Sequence, residues 1–224
     1  MRKMSYIFFI MLVAASLMSG CAKEALTEAE ANLLSTPAMT QPLEQALKLS
    51  DEELVNNYCA GIDLALADNL LFAQAKDIPS ETLYTFFCYI TNPSEGSVNI
   101  QEQWYNKTDD KYHVPIADIE AVLNRYFDGC HFDPAQLIPY FAEASPPQRD
   151  VYRPETKEIV VGGLGGFGGG RFPKLAAKEQ LSDDTLKLTV DYYDDQYTEV
   201  FYTKAYTIRF TEEGYQYLSI QKVE

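Results

Sequence analysis

The C-terminal part of the chain, residues 185–224, constrains the fold most strongly because its apolar residues alternate with polar ones. In the first run, four apolar side chains recur at every second position: Leu186, Leu188, Val190 and Tyr192. The residues between them form the second set: Lys187, Thr189, Asp191 and Tyr193. A period of two places successive side chains on opposite faces of a strand, so this run predicts a half-buried β-strand.

A second run alternates in the same way, with one exception. Its apolar members are Val200, Tyr202, Tyr206, Ile208 and Phe210. Lys204 stands where the pattern expects an apolar residue. The segments 194–196 (Asp-Asp-Gln) and 212–214 (Glu-Glu-Gly) separate the runs and are typical of hairpin turns. We therefore expect an antiparallel sheet with one apolar face.

The first of three predicted amphipathic helices begins at a capping box. Ser50 can accept a hydrogen bond from the backbone amide of Glu53, whose carboxylate can reach back to the Ser50 amide. Apolar residues then recur at helical spacing: Leu54, Tyr58, Ile62, Ala65, Leu66 and Leu70. Gly61 either weakens this helix or marks the close approach of another element.

Two further helices and several short strands are predicted downstream. The second helix follows Ser80 as its N-cap, and the third begins at Pro115. Strands are predicted at 98–105, 158–161 and 172–175. N-terminal helices followed by a C-terminal antiparallel sheet make the predicted class α+β. The order of elements resembles that of an NTF2-like or cystatin-like cone, in which helices cover one curved sheet.

The first 21 residues have the organisation of an export signal. Arg2 and Lys3 form a basic start, and a short apolar segment follows from about residue 6. This segment is too short to cross a bilayer comfortably, so we expect it to direct export. We predict a signal peptide at 1–20, a spacer at 21–50 and one α+β domain at 51–224.

The end of this signal, Leu17-Met18-Ser19-Gly20-Cys21, resembles the lipobox of bacterial lipoproteins. The resemblance implies cleavage before Cys21 and attachment of diacylglycerol to its sulfur. It implies a protein anchored to the outer face of the cell membrane, or facing the periplasm in a Gram-negative cell. The downstream composition resembles lipoprotein ectodomains of Gram-positive bacteria. The alternative is a conventional signal peptide in which Cys21 is incidental.

The charge of the chain limits its partners. The formal net charge is −15, and removal of residues 1–20, which contain Arg2 and Lys3 and no acid, makes it −17. An acidic surface of this kind repels nucleic acid and anionic lipid headgroups. We therefore expect no nucleic-acid partner, and contact with the membrane only through the lipid at Cys21.

A glycine-rich segment at 163–168 matches the dinucleotide pattern G-x-G-x-x-G. The pattern binds pyrophosphate only when a helix N-terminus follows it. Here Gly169, Gly170 and Pro173 follow, so nucleotide binding is not expected. The segment is instead interpreted as a flap on which Leu164 and Phe167 can reach a ligand or partner.

The cysteines and histidines give no defined site. Cys59, Cys88 and Cys130 remain after lipidation of Cys21, and they allow either one Cys59–Cys88 bridge or buried free thiols. Cys130-His131 lacks a second pair at zinc spacing, so no metal or cofactor is predicted.

Four acidic doublets fall at predicted turns, where aspartate bonds its own backbone. They are Asp109-Asp110, Asp183-Asp184, Asp194-Asp195 and Glu212-Glu213. No G-x-S-x-G, H-E-x-x-H or Walker pattern occurs. No catalytic residue is therefore assigned, although a pair of carboxylates brought together by the fold would make an envelope hydrolase possible.

Tyrosines are concentrated in the predicted sheet, and Tyr193 and Tyr197 fall on its polar face. Exposed aromatic side chains of this kind can stack on sugar rings or on a partner protein. The sequence thus predicts a lipid-anchored envelope protein that binds an unknown small molecule, glycan or envelope protein. Its candidate binding residues are Leu164, Phe167, Tyr193 and Tyr197. The alternatives are a hydrolase of envelope glycan or peptide and an accessory subunit of a membrane protein complex.

Overall fold

The computed structural model describes residues 41–66, 71–92, 101–143, 150–162 and 171–223. Helices and two antiparallel sheets make up these segments, so the predicted α+β class is confirmed. The predicted signal peptide, Cys21, and Leu164 and Phe167 of the predicted flap lie outside the described residues.

The larger sheet is formed by four C-terminal strands in the order β5-β6-β7-β8, all antiparallel. They are β5 (Phe172–Gln180), β6 (Thr185–Tyr193), β7 (Val200–Thr211) and β8 (Gly214–Val223). The predicted alternation is confirmed in β6, where Leu186, Leu188, Val190 and Tyr192 are buried. In β7 it holds for Tyr206, Ile208 and Phe210, but Val200 at the start of the strand is 42% exposed. Both predicted turns connect neighbouring strands.

A smaller antiparallel sheet precedes the larger sheet in the chain. The sequence did not indicate that its strands form a separate sheet. The strands of this smaller sheet are β1 (Tyr105–Asn106), β2 (Lys111–Pro115), β3 (Val151–Arg153) and β4 (Glu158–Val161), in the order β1-β2-β4-β3. The prediction of a strand at 98–105 is wrong for Gln101–Trp104, which form a 3₁₀ turn. That turn buries the Trp104 side chain, whose indole N–H donates to Asp118 Oδ2 at 2.8 Å.

Three of the described helices pack against the larger sheet. The described α-helices are α1 (Gln41–Leu47), α2 (Asp51–Val55), α3 (Gly61–Leu66), α4 (Ser80–Ile90), α5 (Ile116–Tyr126) and α6 (Leu137–Glu143). Of these, α1 contacts β7, α2 contacts β5 and α5 contacts β8. The core is rich in fully buried aromatic and aliphatic side chains, among them Leu54, Phe86, Phe87, Leu123, Phe127 and Tyr206.

The helix starts follow the local sequence signals, with one correction. The capping box is present: the Glu53 amide donates to Ser50 Oγ at 3.2 Å, and the Ser50 amide donates to Glu53 Oε2 at 2.8 Å. Ser80 is the first residue of α4 and not its N-cap. Its hydroxyl instead accepts from the Asp133 amide at 2.9 Å, which ties α4 to the loop before α6. None of the helices in the described part of the chain combines the length and apolar character needed to cross a membrane.

Candidate functional site

A π-helical turn, Asn56–Ala60, joins α2 to α3 and interrupts the first predicted helix. Such a turn holds one extra residue, displaces a backbone carbonyl from the regular pattern, and is frequent at functional sites. Here the Tyr217 hydroxyl on β8 donates to the Tyr58 carbonyl at 2.7 Å. The turn is therefore supported by the sheet, and it directs Asn57 and Tyr58 towards the hairpin of β7 and β8.

A cleft of about 440 Å³ lies between α1, this turn and the β7–β8 hairpin. Its volume is in the range of small-molecule sites. Six side chains define its chemistry, three aromatic and three uncharged polar: Tyr58, Phe210, Tyr215, Gln45, Asn57 and Thr211. Glu212 is the one carboxylate among the residues that line it. We call this space the tyrosine cleft.

The aromatic wall of the tyrosine cleft is fixed by ring contacts. The Tyr58 ring stands nearly perpendicular to Phe210, with ring centres 5.3 Å apart, and to Tyr215, at 5.0 Å. Phe210 and Tyr215 are paired across β7 and β8. Burial raises the pKa of Tyr58 and of Tyr215, so both phenols stay protonated and neutral at physiological pH.

A second cavity of about 190 Å³ lies on the other side of Tyr58 and shares Asn57, Tyr58 and Tyr215 with the tyrosine cleft. Its wall includes Gly61 and Tyr89. A Cβ atom at Gly61 would lie 1.9 Å from the Tyr89 hydroxyl, so this glycine permits the close approach that the sequence suggested.

The most deeply buried charges lie away from both cavities. Lys204, the exception in the alternation, points into the core, where its Nζ lies 2.5 Å from Asp63 Oδ1. Both side chains are 3% exposed. The Tyr202 hydroxyl donates to Asp63 Oδ2 at 2.8 Å. Because these groups satisfy one another out of reach of solvent, the pair stabilises the contact between α3 and β7 and offers no open site.

A second buried carboxylate, Asp150, also has partners. It accepts from the Tyr84 hydroxyl at 2.7 Å and from the Gly162 amide at 2.9 Å. Burial is the main reason that the pKa of Tyr84 is raised. These bonds join α4 to the end of β4.

His113 on β2 lies between two carboxylates. Its Nε2 is 2.9 Å from Asp109 Oδ2, and its Nδ1 is 3.3 Å from Glu158 Oε1, which also pairs with Arg153. A hydrogen bond from His113 lowers the pKa of Asp109. No residue in the described ranges adds a nucleophile to this group, which we interpret as structural.

The three described cysteines are free thiols, so the Cys59–Cys88 bridge left open by the sequence is not formed. Desolvation raises the pKa of Cys59, that of Cys88 to about 12, and that of Cys130 to about 11. A raised thiol pKa disfavours the nucleophilic thiolate. Across the described residues, no three His, Cys, Asp or Glu side chains converge in a metal-binding arrangement.

Two acidic doublets act as turn formers, as predicted. Asp194 Oδ1 accepts from the Thr198 amide at 2.7 Å, and hydrogen bonds from Thr198 are the main cause of its lowered pKa. Asp184 accepts from the hydroxyls of Thr185 at 2.6 Å and Ser182 at 2.7 Å, which likewise lower its pKa.

The structure brings two of the four predicted binding residues together. The rings of Tyr193 and Tyr197 are 5.9 Å apart, and Phe172 joins them at 5.3 Å from Tyr197. Tyr197 is 56% exposed and Phe172 39% exposed. We call these three residues the aromatic surface. It lies at the β6–β7 turn, at the opposite end of β7 from the tyrosine cleft.

Sequence reasoning missed the tyrosine cleft because Tyr58 was read as an ordinary core position of the first helix. The polar pair Asn56-Asn57 interrupts the apolar pattern of that helix just before Gly61, but it does not by itself indicate a cleft. Comparisons of the chain with models of protein families, with curated proteins and with solved structures found no match.

Proposed function

We propose that this protein is a lipid-anchored envelope lipoprotein that works as a non-enzymatic binding module, with the tyrosine cleft as its ligand site. The observation that carries the binding role is the chemistry of that cleft. Aromatic and amide side chains line it, and Glu212 stands alone there without a second carboxylate. Acid–base hydrolysis needs two placed groups with suitable pKa values, whereas binding needs only contact area and a few polar groups.

Lipid anchoring rests on residues 17–21 and on the physical chemistry of acyl chains. Each buried methylene contributes about 0.8 kcal/mol, and two chains give stable attachment where one gives reversible adsorption. The fold analogy to an NTF2-like or cystatin-like cone also remains a proposal, supported by helices that pack against an antiparallel sheet.

A thermal-shift panel on the full chain in mild detergent tests the binding role. The panel contains oligosaccharides, cell-wall fragments, peptides, haem, and metals with and without chelator. A ligand at one hundred times its Kd adds about 2.7 kcal/mol, which raises the unfolding midpoint by about 5–10 °C in a domain of this size. A shift that is abolished by Asn57→Ala supports the proposal. A panel without any shift contradicts it.

A second candidate function, that of an accessory subunit, is favoured by the aromatic surface. Exposed Tyr and Phe side chains are enriched at protein interfaces. In addition, the guanidinium carbon of Arg171, the residue before Phe172, lies 4.1 Å from the centre of the Phe201 ring. Crosslinking in intact membranes from Tyr197, compared with crosslinking from Asn57, would distinguish a protein partner at this surface from a ligand in the cleft.

A further inference from the structure

We infer that the tyrosine cleft takes an uncharged oligosaccharide, an assignment that rests on the proposed binding function and specifies its ligand. The inference starts from the side-chain amides of Gln45 and Asn57, which both line the cleft and are exposed. Within the described residues, neither amide makes a side-chain hydrogen bond. Each can therefore donate to and accept from a ligand hydroxyl, which is the pairing that a sugar presents.

The rings opposite these amides supply the second half of saccharide recognition. Tyr58, Phe210 and Tyr215 give the cleft an aromatic wall that ring contacts hold in place. An aromatic ring can contact the apolar C–H face of a sugar while neighbouring polar groups bond its hydroxyls. A rigid wall of this kind lowers the entropy cost of binding because its side chains are already ordered.

Charge makes a neutral ligand the favoured one. No lysine or arginine lines the tyrosine cleft, Glu212 is the one carboxylate in its lining, and the formal net charge of the chain is −15. An anion would be repelled by this field and would find no cation to pair with. A cation would find only one exposed carboxylate, which is a weak partner in water.

The two cavities together favour a chain of sugars over a single ring. The smaller cavity shares Asn57, Tyr58 and Tyr215 with the cleft, and its lining adds Asn56 and Tyr89. The larger one alone has about 440 Å³. A ligand of several rings can thus contact residues that line both cavities.

Titration calorimetry with named probes tests the inference on the full chain in mild detergent. The neutral probes are the trimer of N-acetylglucosamine, cellotriose and maltotriose, and the anionic comparison is trigalacturonate. We expect at least one neutral trisaccharide to bind with a Kd below about 1 mM, and trigalacturonate to bind at least about tenfold more weakly. Absence of binding by all three neutral probes up to about 10 mM overturns the inference.

Variants locate the binding. Asn57→Ala changes an exposed side chain without disturbing the core, and it should weaken trisaccharide binding at least about tenfold through loss of the amide contacts. Gln221→Ala, which removes an exposed amide from the other end of β8, is the matched control and should leave the Kd unchanged. Tyr197→Ala tests the aromatic surface as the other location. Binding that survives Asn57→Ala but is lost with Tyr197→Ala assigns the sugar to the other surface and overturns the inference.

The outcomes also separate this inference from the proposed function. If a peptide or haem raises the unfolding midpoint in a manner that depends on Asn57, and no saccharide binds, the cleft is a binding site for another class of ligand. If neither saccharides nor any other compound in the panel binds, the binding role itself is overturned.

Discussion

At the scale of single residues, the most informative position is Lys204. In the sequence it broke an otherwise apolar alternation, and in the structure it lies in the core with Asp63 and Tyr202. A buried charge is tolerated when its partners satisfy it, although a well-packed apolar pair can be equally stable. The anomaly could be recognised from the sequence. Its partner could not, because Asp63 is 141 residues away and occupies an ordinary helical position.

Replacement of Lys204 by Met should therefore destabilise the protein strongly. Lys204→Met leaves the buried Asp63 carboxyl with only the Tyr202 hydroxyl among its described side-chain partners. We expect the free energy of unfolding to fall by about 3–5 kcal/mol. The double variant Asp63→Leu/Lys204→Met removes both charges and should recover most of that loss. Urea unfolding of the two variants measures the difference, and equal losses in both would show that the single variant fails through packing alone.

Gly61 gives a second prediction at this scale. Gly61→Ala should gain about 1 kcal/mol of helix propensity but must displace the Tyr89 ring, since the new Cβ would lie 1.9 Å from its hydroxyl and 3.0 Å from its Cζ. We expect a net loss of stability in the natural background. Alanine should be tolerated better in a Tyr89→Phe background, where the closest atom is gone. Thermal unfolding of this double-mutant cycle checks the coupling, and additive effects would contradict the close contact.

At the scale of elements, the features that depend on neighbours in sequence were predictable. The capping box at Ser50 and the alternation of β6 each depend on residues that lie only a few positions apart in the sequence. The π-helical turn was not, because the Tyr58 carbonyl in it accepts a hydrogen bond from Tyr217 on a strand at the other end of the chain. The second sheet was missed for a related reason: β1 and β3 are only two and three residues long, too short for alternation to show.

The π-helical turn should become less stable when the hydrogen bond from Tyr217 is removed. Tyr217→Phe keeps the buried ring but leaves the Tyr58 carbonyl without the hydroxyl that donates to it. Loss of one such hydrogen bond costs about 0.5–1.5 kcal/mol. Hydrogen exchange should become faster in Asn56–Ala60 while the amides of β6 keep their protection. Tyr197→Phe, which removes an exposed hydroxyl, serves as the control. Unchanged exchange in Tyr217→Phe would show that this hydrogen bond does not hold the turn.

At the scale of the whole molecule, the candidate site is assembled from segments that only the fold brings together. The tyrosine cleft takes residues from α1, from the π-helical turn and from the β7–β8 hairpin. Each segment taken alone reads as ordinary helix or strand, so no local pattern could indicate their meeting. The aromatic surface was easier to predict, since Tyr193 and Tyr197 flank one turn and alternation placed Tyr193 on the outer face.

The proposed anchor makes a prediction about the full chain in a bacterium that processes lipoproteins. The natural protein should fractionate with membranes, and its first mature peptide should begin at Cys21 and carry a diacylglyceryl group. Cys21→Ser removes the sulfur that accepts the lipid, so the protein should leave the membrane fraction. In the proposed protein two acyl chains on Cys21 would supply the stable attachment that this variant loses. Ser19→Ala keeps a small residue before the cysteine and should behave as the natural chain does. Mass spectrometry that finds an unmodified Cys21 in the exported natural protein would establish the conventional signal peptide instead.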